Sequence, residues 1–176
     1  LRSRNLELLR SALRSLRVVT KPQAAEVTGL SVVTVNTLMQ ELMEAGEAKL
    51  MAEGTSSGGR PAQQYAFCAD YRLALAVYLH EEAGRDTMFI AVVDLLGNKL
   101  MERKMQPEEI TLELFLQVLR LYFQQYPQIS ALVVGLPGME QNGKLVVVDY
   151  PVLQDVAFAG RLQQELACPV YVENDI

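Results

Sequence analysis

The sequence predicts a multidomain protein in which a small α+β domain is followed by a mixed α/β domain. Short helical segments joined by a glycine turn occupy the first seventy residues, and strand-like apolar runs alternate with amphipathic helices in the remainder. The charge changes at the same place: residues 1–70 carry eight Lys and Arg against seven Asp and Glu, and residues 71–176 carry eight against fourteen. This asymmetry favours two domains with different partners.

The first predicted helix spans residues 3–17. Leu6, Leu9, Leu13 and Leu16 recur at helical spacing, so they lie on one apolar face. Arg10, Arg14 and Arg17 lie on its other faces, and Arg2 and Arg4 add to the arginines around this helix.

A short second helix, a turn and a third helix follow. Thr20 caps the second helix, Pro22 lies in its first turn, and Gly29 ends it in the left-handed conformation. Ser31 then caps a third helix, residues 31–45. The residues predicted to face inward from it are Val35, Leu38, Leu42 and Ala45, with Gly46 closing the helix. Two helices joined by a glycine-containing turn form a helix-turn-helix.

A hairpin is predicted after the third helix. Strand-like runs at residues 49–53 and 63–67 flank a segment rich in Gly and Ser, residues 54–61. Arg60, beside Gly59, is suited to the negative potential of a narrow minor groove. The pattern therefore predicts a winged helix-turn-helix, with the third helix in the major groove of double-stranded DNA and the hairpin as its wing.

The residues predicted to contact DNA come from all of these elements. They are Ser31, Val33, Thr34, Asn36, Thr37 and Gln40 in the third helix, Gly59 and Arg60 in the wing, and Arg4 and Lys21 in the first two helices. The third helix contains no Lys or Arg and carries Glu41 and Glu44, so phosphate affinity has to come from other elements, including Arg2, Arg14 and Arg17. We therefore expect a homodimer, because two half-sites multiply weak binding.

Two other interpretations of this domain stay open. In the first, the three helices and the hairpin form only a small structural core, with no role in DNA binding. A recognition helix without cations, in a chain of net charge −5, is also compatible with a winged helix that binds protein. A steep salt dependence of DNA affinity would argue against protein binding, because phosphate contacts release counterions.

The domain boundary is predicted at residue 69, which gives a first domain of residues 1–69 and a second of residues 70–176. The second domain is predicted to contain, in order, strands at 73–79, 87–95 and 99–105, a helix at 111–126, strands at 130–135 and 146–148, a helix at 158–167 and a strand at 169–173. Residues 80–86 are predicted to form a polar turn. Apart from the short run at 146–148, the order is βββαβαβ, which predicts a mixed sheet flanked by helices.

Polar turns at the ends of strands are where ligands bind in such sheets. One turn is Gly135-Leu136-Pro137-Gly138, and the other is Asn174-Asp175 after the last strand. A carboxylate and an amide beside a glycine loop suit a polyhydroxylated ligand. Ordinary turns without a ligand would give the same pattern.

Taken together, these motifs resemble those of the ROK family (repressor, open reading frame, kinase). The resemblance rests on Thr28-Gly29-Leu30-Ser31, Thr34-Val35, Gly58-Gly59-Arg60-Pro61, Gly135-Leu136-Pro137-Gly138 and Val172-Glu173-Asn174-Asp175. It implies a winged helix-turn-helix fused to the first part of a sugar-kinase-like domain, which has a ribonuclease H-like fold of the actin/hexokinase ATPase type. It also implies a transcriptional regulator, expected to be a repressor, that binds a DNA operator and senses a sugar or sugar derivative.

The same resemblance implies a sugar site. Gly135, Pro137 and Gly138 would line it, and Asn174 would hydrogen-bond sugar hydroxyls. Asp175 would occupy the position of the catalytic base in the family's kinases.

Two departures from the family's kinases lead us to expect no catalysis. Residues 78–86 replace the Asp-x-Gly-Gly-Thr phosphate loop, and they include Glu81 and Glu82, which would repel a nucleotide's phosphates. The chain also ends at Ile176, and we expect a truncated chain that lacks the second lobe and the family's zinc-binding His/Cys cluster. No cofactor or metal is expected in this chain. Zinc is expected only in the C-terminal part that the chain lacks. The alternative is a ROK-type sugar kinase with an appended helical domain.

The remaining features favour a cytoplasmic protein without a membrane partner. The sequence has no run of eighteen apolar residues and no recognisable leader. Cys68 and Cys168 match no metal-ligand spacing, so they are interpreted as small buried hydrophobes.

Overall fold

The computed structural model describes residues 1–51, 62–142, 144–148, 150, 153–154 and 157–174. The chain divides into two compact units, Leu1–Tyr71 and Arg72–Ile176. This division lies two residues after the predicted boundary. Among the described residues, no helix is both long and apolar enough to cross a membrane.

The first unit combines three helices with a three-stranded antiparallel sheet. In chain order its elements are α1 (Arg2–Leu16), β1 (Val18–Thr20), α2 (Lys21–Thr28), α3 (Val32–Glu44), β2 (Ala48–Leu50) and β3 (Gln64–Phe67). The sheet order is β1-β3-β2. Strand β1 was not predicted, because three residues are too short to show a period. It forms because Val19 is buried in the core and the strand pairs with β3, Val19 opposite Tyr65.

The predicted helix boundaries around the turn are confirmed. Thr20 and Gln23 form a capping box, in which the Thr20 amide donates to Gln23 Oε1 at 2.9 Å. Gly29 adopts a left-handed φ of 70° at the end of α2. The Ser31 hydroxyl accepts from the amide of Thr34 at 3.1 Å and so caps α3.

The inward face of α3 was predicted with one error. Val35, Leu38 and Leu42 are buried, together with Met39. Ala45 is exposed, because the helix ends at Glu44 and the chain turns away through Gly46, whose φ is 77°.

An ion pair with a buried carboxylate joins α1 to the segment that follows α3. The guanidinium of Arg10 donates to both carboxylate oxygens of Glu47, at 2.7 and 2.6 Å, and Glu47 is only 5% exposed. The Glu47 main chain is also engaged, since its amide donates to Leu42 O and its carbonyl accepts from Cys68 N. Glu47 therefore connects α1, α3 and the strand region of the first unit.

The second unit contains a five-stranded mixed sheet, a separate two-stranded sheet and two helices. Its elements are β4 (Leu73–Glu82), β5 (Arg85–Asp94), β6 (Lys99–Met105), α4 (Leu112–Gln125), β7 (Ile129–Leu136), β8 (Gly138–Gln141), β9 (Lys144–Val148), α5 (Phe158–Leu166) and β10 (Val170–Asn174). The order of the large sheet is β10-β7-β4-β5-β6. Strands β10, β7 and β4 run parallel, and β5 and β6 are antiparallel additions. The predicted mixed sheet flanked by helices is confirmed, with β8 as an additional strand.

The predicted polar turn at residues 80–86 is wrong. Strand β4 continues to Glu82 and β5 begins at Arg85, so only Ala83 and Gly84 form the turn, with φ of 53° and 75°. The ladder continues through this polar stretch because it needs only backbone groups, and Glu82 also pairs with Lys104 on β6.

One face of the large sheet is covered by apolar packing. Alternate residues of β4 are buried, as expected for a strand with one core face. Phe115 of α4 and Phe158 of α5 belong to the same core cluster, with ring centroids 5.4 Å apart. This packing holds α5, and through it the edge strand β10, in place.

Candidate nucleic-acid interface and ligand site

The outward face of α3 carries uncharged side chains at helical spacing. Val33, Asn36, Thr37 and Gln40 lie at i, i+3, i+4 and i+7, opposite the buried face, and all four are exposed. Val33 is 77% exposed, which is high for an apolar side chain, and it does not pack in the core. A helix face of this composition offers hydrogen bonds and one apolar contact, the two means by which base edges are read.

Two predicted contacts at the start of α3 already have partners. The hydroxyls of Ser31 and Thr34 lie 2.8 Å apart and hydrogen-bond to each other, and Ser31 also caps the helix. Their first role is therefore to fix the beginning of α3, with Thr34 half-buried.

The two carboxylates of α3 are engaged by neighbours. Arg2 Nη2 donates to Glu41 Oε2 at 2.9 Å, and Gln40 Nε2 donates to Glu44 Oε1 at 3.1 Å. Arg2 thus offsets one of the two negative charges that argued against phosphate binding. Arg2 and Asn5 of α1 also line a groove of about 390 Å³ beside Val33 and Thr37. Asn5 was not predicted, although it stands three residues after Arg2 and shares its helix face.

Lys21 lies against α3 rather than pointing freely away from it. Its ammonium donates a hydrogen bond to Asn36 Oδ1 and lies 5.1 Å from the centre of the Tyr65 ring. Tyr65 is 3% exposed and belongs to the core. The ring therefore gives Lys21 a fixed neighbour, and the structure brings two predicted contacts, Lys21 and Asn36, together.

The other predicted cations are placed differently. Arg4 and Arg14 are exposed on α1, and Arg17 is exposed at its end with a φ of 67°. The Arg17 carbonyl accepts from the amide of Phe67, so its backbone is tied to β3 while its side chain faces solvent. Gly59 and Arg60, predicted to lie in a wing, fall outside the described residues.

The predicted ligand-site residues meet at one edge of the large sheet. Parallel pairing sets Gly135 opposite Glu173 and Leu136 opposite Asn174, so the carboxyl ends of β7 and β10 are adjacent. The predicted loop at 135–138 is wrong, because β7 runs to Leu136 and β8 starts at Gly138, which leaves only Pro137 between the strands. Asn174 is the last residue of β10 rather than the first after it. The side chain of Asn174 and all of Asp175 lie outside the described residues.

An aromatic side chain that the sequence did not point to lies beside this edge. Tyr78 of β4 pairs in register with Gly135, and its ring stacks on His80 with centroids 5.7 Å apart. A Cβ on Gly135 would lie 3.0 Å from Tyr78 Cδ2, so the absence of a side chain lets the ring lie against the strand. No local pattern in the sequence reveals this contact, because Tyr78 and Gly135 belong to strands that are far apart in the chain.

The described residues contain no cluster of metal-ligating side chains. In the described ranges, no three His, Cys, Asp or Glu side chains are grouped so as to hold a metal ion. Burial raises the pKa of the Cys68 and Cys168 thiols, which keeps both protonated near neutral pH.

Comparisons with known proteins agree with this architecture. The model of the ROK family matches residues 79–176, which is more than half of the chain. Two curated relatives, the xylose repressors of Bacillus spizizenii and Bacillus subtilis, are each 23% identical over 97% of this chain. The chain spans less than half of those relatives, 46% of their length.

Solved structures share the fold. The crystal structure of a ROK family transcriptional regulator, a homologue of the E. coli MLC protein, superimposes with a TM-score of 0.64 and 20% identity. The match covers 99% of this chain and 46% of that one. The structure of a candidate sugar kinase from Cytophaga hutchinsonii superimposes with a TM-score of 0.51 and 17% identity, over 58% of this chain and 36% of that one.

Proposed function

Since this chain belongs to the ROK family, we propose that it is the DNA-binding and first ligand-binding portion of a sugar-responsive transcriptional repressor. The observation that carries the proposal is the uncharged, exposed face of α3, which follows a capped helix and a glycine turn. The two relatives named as xylose repressors support the repressor role.

In this proposal the first unit is a winged helix-turn-helix. Helices α2 and α3 are the helix-turn-helix pair, and the antiparallel strands β2 and β3 are the arms of the wing. Residues 1–69 would form the DNA-binding domain and residues 70–176 the first half of the sugar-kinase-like domain. Two chains would bind a two-fold symmetric operator, since one uncharged recognition helix gives weak binding by itself.

The intact chain is expected to enrich specific duplexes from a randomised DNA library. Affinity for a selected duplex should fall at least about tenfold between 50 and 200 mM salt, because phosphate contacts release counterions. Thr37→Asp should weaken binding at least about tenfold, since it places a carboxylate on the face directed at the DNA. Fluorescence anisotropy with the selected duplex measures both effects.

Ser11→Asp is the matched control for Thr37→Asp. It makes the same change in charge at an exposed position on the side of α1 opposite Arg2. Its affinity should stay within about twofold of the parent chain. Equal loss in the two variants would remove α3 from the interface, and a salt-independent interaction would favour the protein-binding alternative.

The second unit is proposed to bind a sugar or sugar derivative at the adjoining carboxyl ends of β7 and β10, beside Tyr78 of β4. Parallel strands place their carboxyl ends together there, where ligands of open α/β sheets bind. Gly135, Pro137, Gly138, Asn174 and Asp175 are the proposed contacts. The sugar would release the repressor by favouring one of two arrangements of the dimer, through its higher affinity for that arrangement.

A sugar that binds this edge is expected to raise the midpoint of thermal unfolding of the intact chain. Xylose is the first sugar to test, because the relatives are named xylose repressors, and other pentoses and hexoses are tested after it. Gly135→Ala should reduce the affinity at least about tenfold, because its new Cβ displaces the Tyr78 ring at the site. Differential scanning fluorimetry with increasing sugar gives the affinity.

Gly160→Ala is the control. A Cβ at Gly160, in α5, meets no atom within 4 Å, so sugar binding should be unchanged. If both variants respond to the sugar like the parent chain, the ligand does not bind at the Gly135 edge.

We also propose that the chain is not an enzyme. A phosphate-cradling loop directs several backbone amides at one point. Between β4 and β5 the register pairs Glu81 with Asp86 and Glu82 with Arg85, which leaves Ala83 and Gly84 as the whole turn. In the sugar experiment, addition of ATP is expected to leave the sugar unphosphorylated, and turnover would favour the sugar-kinase alternative.

A further inference from the structure

We propose that Lys21 and Asn36 together form a guanine-reading pair on the DNA-binding face of α3. The inference rests on the proposed DNA-binding function and names the base that this part of the helix selects. Taken separately the two residues have different preferences, since lysine contacts phosphate or guanine and asparagine commonly reads adenine. Their contact with each other changes what the pair offers to DNA.

The contact determines how the Asn36 amide is oriented. An ammonium group has only donors, so the Lys21 Nζ can bond only to the amide oxygen of Asn36. The oxygen therefore faces Lys21, and the amide nitrogen, with its two N–H donors, is directed to the other side. Asn36 is exposed, so these donors are available to a partner outside the protein.

Lys21 is held in this position from its other side. Its ammonium lies 5.1 Å from the centre of the Tyr65 ring, and Tyr65 is packed in the core. The Tyr65 hydroxyl donates to Gln63 Oε1 at 3.1 Å, which further fixes the ring. Lys21 is thereby kept beside α3, at the level of Asn36, instead of extending freely toward a phosphate.

The resulting pair presents hydrogen-bond donors and positive charge, and Lys21 takes up one of the two lone pairs of the Asn36 oxygen. Guanine offers two acceptors in the major groove, N7 and O6. Adenine offers N7 and the N6 amino group, and that amino group would have to approach the remaining lone pair of the Asn36 oxygen beside the Lys21 ammonium. The ammonium beside the amide also disfavours the approach of an amino group. The pair therefore favours guanine over adenine.

Binding-site selection with the intact chain and its variants tests this assignment. The parent chain should enrich guanine at one position of each half-site. Lys21→Met removes the ammonium and frees the Asn36 oxygen, so the enriched base at that position should change from guanine to adenine. Measured by anisotropy, replacement of that G·C pair by A·T should weaken the parent about tenfold and should not weaken the Lys21→Met variant.

Two further variants separate this role from others. Asn36→Ala should lose the discrimination at the same base pair and keep it elsewhere, and circular dichroism checks that each variant folds. Lys144→Met, at an exposed position of the second unit, makes the same change in charge and should keep the guanine preference.

The outcomes that overturn the inference are distinct from failure of the proposed function. If Lys21 only contacts phosphate, Lys21→Met will weaken all duplexes equally and reduce the salt slope by about 1, with guanine still enriched. Absence of guanine at every position in the parent chain also overturns it. If the parent chain enriches no duplex, DNA binding itself fails, and the guanine assignment fails with it.

Discussion

Replacing Arg10 by methionine is expected to destabilise the first unit by about 3–5 kcal/mol, because it leaves the carboxylate of Glu47 buried without its partner. Glu47 is 5% exposed and receives two short hydrogen bonds from the Arg10 guanidinium. The methylene stem is retained in methionine, so most of the loss comes from the charge rather than from packing. Urea unfolding of the intact chain, followed by circular dichroism, measures the change.

Two comparisons isolate the ion pair. Arg14→Met removes an exposed arginine from the same helix and should cost no more than about 1 kcal/mol. The double variant Arg10→Met with Glu47→Met replaces the pair by apolar groups and should recover most of the stability. If Arg10→Met and Arg14→Met are equally stable, the buried pair contributes nothing.

The same pair connects stability to function. The Glu47 amide bonds to Leu42 O and its carbonyl accepts from Cys68 N, so this residue joins the end of α3 to the chain after β3. Loss of the pair would loosen the helix that carries the proposed base contacts. In Arg10→Met, DNA affinity should fall with temperature in parallel with the unfolding of the first unit.

Replacing Phe158 by alanine is expected to destabilise the second unit by about 3–5 kcal/mol. Its side chain is fully buried at the start of α5 and packs against Phe115, with ring centroids 5.4 Å apart and planes inclined by 45°. Removing the ring leaves a cavity and also removes an aromatic pair worth about 1 kcal/mol. Thermal unfolding of the intact chain, followed by near-ultraviolet circular dichroism, reports the loss.

Leu121→Ala provides the control for Phe158→Ala. Leu121 lies on α4 and is 64% exposed, so its truncation should change the free energy of unfolding by less than about 0.5 kcal/mol. Since α5 leads directly into β10, Phe158→Ala should also reduce sugar affinity in the fluorimetry experiment. A stable Phe158→Ala chain would show that α5 contributes little to this core.

Local signals in the sequence predicted the first unit well. Thr20, Gly29 and Ser31 act within their own helices and turn, through hydrogen bonds and a φ angle that involve residues at most four positions away. Such interactions are readable from the order of residues alone. The exposed face of α3 was predicted for the same reason, since helical spacing assigns each side chain to a face.

Elements that depend on distant pairing were missed. Strand β1 is three residues long and exists only because β3 lies beside it. Strand β8 pairs with β9, and it converted a predicted glycine loop into the junction of two strands. Residues 80–86 were predicted as a turn because they are polar. In the structure their backbone groups belong to the β4–β5 ladder, and Lys104 pairs with the carboxylate of Glu82.

The amino-acid order therefore established the helix boundaries, the composition of the α3 face, the alternation of strands and helices in the second unit, and the motifs by which the family was recognised. Only the folded chain decided the partners of its charged groups: Arg10 with Glu47, Arg2 with Glu41, and Lys21 with Asn36. These pairs join residues from 15 to 39 positions apart. The physical reason is that capping and helical periodicity act over a few residues, whereas ion pairs and strand pairing depend on which distant segments packing brings into contact.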